Sequence, residues 1–441
     1  MTDRRPAGVA LGLLLVLTAP GCAGGGDATG ARPATPFVAV DPASASPTDR
    51  AIFAAQERLK VRGDDDSARL ALAQAFLQKA REVGDPTYYA RADGLLEVTA
   101  NGREDDPVVL VAQGALALAR HEFEDALELG RRASELAPGN QGALGVTVDA
   151  LNELGRYDEA LAVTQAMVDA RPDLASLARV SYARELRGDL AGAVTAMAQA
   201  ARAGAGAGEN LAFVELQLGT LLLTSGDLAG AEAAYARAEQ AFPGFAPAEA
   251  GRARLLVARG QFGAAADLLG EVVDRLPAAE HAIAHAEALQ AAGRAAEAAE
   301  AEALVDVIAD LYRANGVDVD LDLALFTADT DPGDEAVDQA RRASRRRPSI
   351  AGHDALAWAL FTDGRVDAAV EEMGKALRLG SRDPQLRYHA AAIAMADGDR
   401  AGAARHLHEV LATNPRFSAR HAPGVAELAN RLGLALPPPP G

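Results

Sequence analysis

The sequence predicts an all-α fold, a solenoid of stacked helical hairpins. One string recurs along the chain: a glycine, an alanine five positions later, and a proline twelve positions after that. The alanines are Ala126, Ala160, Ala193, Ala231, Ala265, Ala298, Ala336, Ala369 and Ala403, spaced by 33, 34 or 38 residues. Composition points the same way. Aromatic residues make up 4% of 441 residues, and alanine and leucine dominate the apolar share. Close helix packing through small side chains suits that profile better than a β-rich fold. A chain of this length also exceeds what one compact core usually supports.

The elements follow in order. Residues 1–21 read as a signal peptide, with Arg4 and Arg5 before an apolar run from Val9 to Leu17 that is too short to span a bilayer. Cys22, the only cysteine, follows Ala19-Pro20-Gly21. This resembles the lipobox of bacterial lipoproteins, and the resemblance implies that Cys22 is lipidated and becomes the mature N-terminus. The other reading is an ordinary signal peptide with a chance cysteine. Residues 22–47, rich in Gly, Ala, Pro, Ser and Thr, read as a flexible tether. Residues 48–106 read as degenerate repeats and a cap, with Ala51 and Ala92 in the repeat position.

Regular repeats then run over 107–313. Glycines stand five positions before the alanines at Gly155, Gly188, Gly226, Gly260, Gly293, Gly364 and Gly398. Prolines stand twelve after them at Pro138, Pro172, Pro243, Pro277, Pro348 and Pro415. The glycine allows the left-handed backbone of a tight turn, the alanine lets two helices cross closely, and the proline ends the second helix. Ser181, Gly219, Ala253, Ala286 and Ala391 recur as small partners on the first helix. The pattern closely resembles the tetratricopeptide repeat, and the resemblance implies a right-handed superhelix. Residues 314–348 read as an irregular repeat, 349–416 as regular repeats, 417–434 as a capping helix and 435–441 as a Pro-rich tail.

In that fold the first helices line a concave groove. The register places Asp149, Asn152, Tyr182, Glu185, Phe213, Arg254, Glu287, Asp354, Trp358, Phe361 and Tyr388 there. Aromatic anchors dominate interface energetics, so these are the candidate partner-binding residues, although Trp358 and Phe361 also suit a junction between units. No metal site is expected. His281 and His285 share a helical face, but the Glu of a zinc-protease helix is missing. The Asp329–Glu335 run has its glycine too early for a calcium loop, and capping by Asp331 or Asp334 explains it. Gly24–Gly26 and Gly204–Gly208 lack the context of a phosphate or dinucleotide loop.

No catalytic constellation, cofactor or nucleic-acid partner is expected, the last because net charge is −19. The reading is a non-enzymatic protein-interaction scaffold at the bacterial cell envelope. It would be extracytoplasmic and held by Cys22 in the cell membrane or the periplasmic face of the outer membrane. The alternatives are an accessory lipoprotein for assembling an outer-membrane or secretion complex and, remotely, an enzyme or its regulator.

Overall fold

The computed structural model describes residues 38, 46–204, 208–317 and 320–438, all within one compact unit, Ala34–Gly441. Among the described residues there are 22 helices and no strand. They pair as hairpins from Asp66–Val83 with Thr87–Ala100 through Pro384–Ala396 with Arg400–Ala412. Single helices, Pro47–Val61 and Ala422–Leu432, flank them. The fold is an all-α solenoid, and its core is a succession of local clusters rather than one centre.

The repeat string has a direct packing role. All nine alanines lie on second helices, and none is more than 2% exposed. Their small partners on the first helices meet them: the Ser181 hydroxyl donates to the Ala193 carbonyl at 2.8 Å. A Cβ on Gly219 would strike the ring of Tyr235 on the paired helix. Every turn glycine of the string is left-handed, as at Gly155 (φ 67°). The unit around Ala126 has no glycine in that place. His121 stands there and takes the same left-handed backbone, φ 64°.

The long spacing between Ala298 and Ala336 comes largely from extension of the second helix Ala295–Ala314 to 20 residues; the helix after it, Asp320–Thr330, is short. One expectation is corrected. Neither Asp331 nor Asp334 caps the next helix: Gly333 is its N-cap, without a side-chain hydrogen bond. The Asp334 carboxylate turns instead to Arg365. The final helix begins at Ala422, where Pro423 occupies a first-turn position that needs no N–H.

The solenoid also winds back onto itself. The Tyr312 hydroxyl donates to the Gly84 carbonyl across 228 residues. The Ile350 N–H donates to the Tyr157 hydroxyl oxygen at 2.7 Å across 193 residues. Arg378 donates to the Gly155 carbonyl at 2.8 Å and rests over the Tyr157 ring, 5.0 Å from its centroid. Arg347 pairs with Glu153. Turns between the helices of early hairpins thus abut loops between late ones. Glycine is required twice over there. A Cβ on Gly188 would lie 2.6 Å from the Gly380 carbonyl oxygen, one on Gly226 2.9 Å from that of Thr413, and one on Gly155 would collide with Pro348. The equivalent glycines Gly260 and Gly293 face open space.

Candidate inner-groove binding site

First helices line the inner side, but helices from further along the chain form its far wall. A partly enclosed cavity of about 380 Å³ lies between Tyr182, Glu185 and Leu186 on Leu174–Leu186 and Asp322 and Leu325 on Asp320–Thr330. Asp354, Asp383 and Leu386 from later hairpins complete it. A second cavity of about 240 Å³ shares Asp322, Leu325 and Gln385 with the first and continues past Arg254, Glu287, Asp329, Ser418 and His421. The groove is therefore narrower than an open array of these hairpins would leave.

Carboxylates dominate the larger cavity. Burial pushes Glu185 up to about 7, and the Asp383 carboxylate adds to the rise. Burial likewise pushes Asp322 up to about 6, with Glu280 adding and Arg347 opposing. Asp383 is raised by burial and by Asp354, although its carboxylate accepts the Leu386 N–H at 2.9 Å as a helix cap. Glu185 is half-buried and Asp322 is exposed to the groove, which the walls only partly enclose, so groove water screens Asp322 in part. The Tyr182 ring, 38% exposed, faces the same space. Among the described residues, the one guanidinium lining this cavity, Arg347, is engaged by Glu153.

In the smaller cavity, which Asp322 also lines, Glu287 and Asp329 are matched. Glu287 accepts from Ser418 and Arg420, both at 3.3 Å. Its carboxyl is still raised, mainly by burial. Arg254 lines the same space.

The other candidates divide by packing. Trp358 is 5% exposed and stacks on His389, centroids 4.0 Å apart and planes at 15°. Its indole N–H donates to Asp329 at 2.8 Å. Phe361, Tyr388 and His421 surround it, with ring centroids 5.1, 5.9 and 5.5 Å away. His389 meets Asp354 at 2.9 Å, and His421 meets Asp329 at 3.3 Å. Burial would raise the Asp329 carboxyl, but His421 and the indole N–H hold it below its ordinary value. Trp358 and Tyr388 therefore fill the junction between late units, because neighbouring helices and the loop at Phe417–His421 cover them. Asn152 is also buried, Asp149 makes a two-pronged ion pair with Arg179, and Phe213 is exposed. Tyr182, Glu185, Arg254, Glu287 and Asp354 do line the cavities. Asp322 and Asp383 lie outside the sequence register, because the chain that brings them is distant.

Among the described residues no group of three or more His, Cys, Asp or Glu side chains converges as a metal site would require. None of the described helices is long and apolar enough to cross a membrane. Cys22 lies outside the described residues.

Residues 117–185 match the tetratricopeptide repeat. No curated protein matches the sequence. Among solved structures, the chain is similar to TTC0263, a thermophilic TPR protein in Thermus thermophilus, at 22% identity and TM-score 0.33 over 38% of this chain and 90% of that one. It is similar to the APC/C hetero-tetramer Cut9-Hcn1 at 17% identity and TM-score 0.40, over 88% of this chain and 67% of that one. Yeast Tom70 gives 14% identity and TM-score 0.34, over 82% of this chain and 95% of that one.

Proposed function

We propose that the protein is a non-enzymatic interaction scaffold of a bacterial cell envelope, tethered through lipid on Cys22, which holds a segment of a partner protein in its inner groove. One observation carries the reading. First helices of tetratricopeptide-type hairpins turn Tyr182, Glu185, Arg254 and Glu287 toward space that the chain itself leaves unfilled. Side chains held on rigid helices suit recognition, since little order must be acquired on binding. The envelope location rests on the signal-like run before Cys22 and the Gly/Pro-rich stretch after it.

A photo-crosslinking residue at Tyr182 or Arg254, in cells, tests the groove. Discrete adducts with another protein are expected. If both positions give none while an exposed position on an outer helix such as Asp367 does, the partner sits elsewhere. Metabolic labelling with a palmitate analogue tests the anchor: label is expected on the wild type and absent from Cys22→Ala.

A further inference from the structure

We infer that the larger cavity receives an extended, lysine- or arginine-bearing segment of the partner, its cation facing Glu185 and Asp322. The inference deepens the scaffold reading and rests on it.

Charge is the first ground. Three carboxylates from three separated parts of the chain face one space, and the guanidinium beside them is already paired with Glu153. Among the described residues, Glu185 and Asp322 have no hydrogen-bond or ion-pair partner, in contrast to Glu287 and Asp329 nearby. The surrounding walls raise both carboxyls, at Asp322 against the opposing charge of Arg347. An incoming ammonium or guanidinium would relieve that cost and gain short charge-assisted hydrogen bonds.

Shape is the second ground. Leu186, Leu321, Leu325, Ile350 and Leu386 give the wall apolar stretches between its carboxylates and the polar Ser349, Ser381 and Gln385. Long cationic side chains bury an aliphatic stem against such surface while the head meets charge. The Tyr182 ring stands at the same wall and can take a cation on its face. A helix about 10–12 Å across with its side chains does not fit a space of about 380 Å³. An extended segment carrying one long side chain does. The walls come from hairpins one turn of the solenoid apart, so such a segment would also bridge the turns.

The test uses the full chain and fluorescent twelve-residue peptides in which Lys or Arg alternates with Ala or Ser, with Gln-substituted peptides as controls. Anisotropy titration is expected to show binding of the cationic set, weakened by salt. Binding should fall about tenfold or more in Glu185→Gln/Asp322→Asn, the scale of a lost close charge pair. Asp367→Asn, exposed on an outer helix, should bind as the wild type does. Circular dichroism and thermal melts confirm that the double variant is folded, and removing two strained carboxylates should not destabilise it. Equal binding of the Gln peptides, unchanged binding by the double variant, or binding of spermidine without binding of any peptide each overturns the inference. Crosslinking from Tyr182 separates the two levels. Adducts that persist in the double variant keep the scaffold and refute the basic segment; no adducts in either protein from Tyr182, from Arg254 or from an outer position refutes the scaffold itself.

Discussion

Replacing Gly155 by alanine measures whether the solenoid closes on itself in solution. Gly155 and Gly293 are left-handed turn residues of the same repeat string, φ 67° and 77°. Alanine at either site carries the left-handed penalty of about 1–2 kcal/mol. Only at Gly155 does the new Cβ also meet another part of the chain, the Pro348 carbonyl. Relief requires the two turns to separate. Separation breaks the buried bond from the Ile350 N–H to Tyr157, leaving a donor unsatisfied at about 1–3 kcal/mol. It also breaks the Arg378 and Arg347 contacts, which are partly exposed and worth about 0.2–1 kcal/mol each. Gly155→Ala should therefore cost on the order of 2–4 kcal/mol more than Gly293→Ala.

A global melt is a poor readout, because repeat arrays depart from two-state unfolding. Hydrogen exchange at the Ile350 amide reads the seam directly. At about 1.4 kcal/mol per decade, its protection should drop roughly 30- to 1000-fold in Gly155→Ala and hardly change in Gly293→Ala. Small-angle scattering should show a larger radius of gyration for Gly155→Ala alone. Equal effects of the two substitutions on Ile350 protection and on size would refute the closed seam.

Four further outcomes are expected. Tyr157→Phe keeps the ring under Arg378 but strands the Ile350 donor, so exchange there should accelerate by the equivalent of about 1–3 kcal/mol without loss of helix content by circular dichroism. His121→Gly should stabilise the Ala126 hairpin by about 1 kcal/mol, read as slower exchange across Pro107–Leu136, because glycine takes φ 64° without strain. Ala160→Leu should overpack its hairpin and cost about 1–3 kcal/mol, read as faster exchange across Gln141–Ala170. The fourth concerns pH. The folded state holds the Glu185 proton up to about 7, above the ordinary carboxylate value, so it binds more protons than the unfolded chain between about pH 4.5 and 7. Stability from this group is greatest below that window and falls as pH rises through it; Asp322, raised to about 6, acts in the same sense. Glu185→Gln faces the same Asp383, Asp322, Tyr182 and Arg347 but no longer titrates. Its denaturation midpoint should gain on the wild type between pH 5 and pH 8, and a constant gap would contradict the assignment.

What is legible in the sequence and what is hidden from it have separate physical origins. A hairpin is a local object. Its crossing alanine, its turn and its terminal proline lie within some twenty residues, so each leaves its mark at fixed offsets. The register is strong enough to locate the turn at residue 121, although the histidine there hides the backbone conformation it shares with the glycines. Trp358, too, falls on its first helix by register, but whether it faces solvent or a neighbour depends on Phe417–His421, from the end of the chain.

The seam is not local. It arises when small rotations between successive hairpins accumulate until the chain meets itself some 190 residues later, across the pairs Tyr157–Ile350 and Glu153–Arg347. No single repeat encodes that meeting, and glycine at 155 looks the same in sequence as glycine at 293. The same accumulation brings Asp322 and Asp383 opposite Glu185. The groove that the register describes as an open surface of first helices is thus a space between turns, and its chemistry belongs to both. Two consequences follow for any partner. It must be slender enough to enter between the walls, and its binding and the closure of the seam are linked: a ligand that bridges Glu185 and Asp322 stabilises the closed solenoid, and by reciprocity a seam weakened at Gly155 should bind that ligand less tightly.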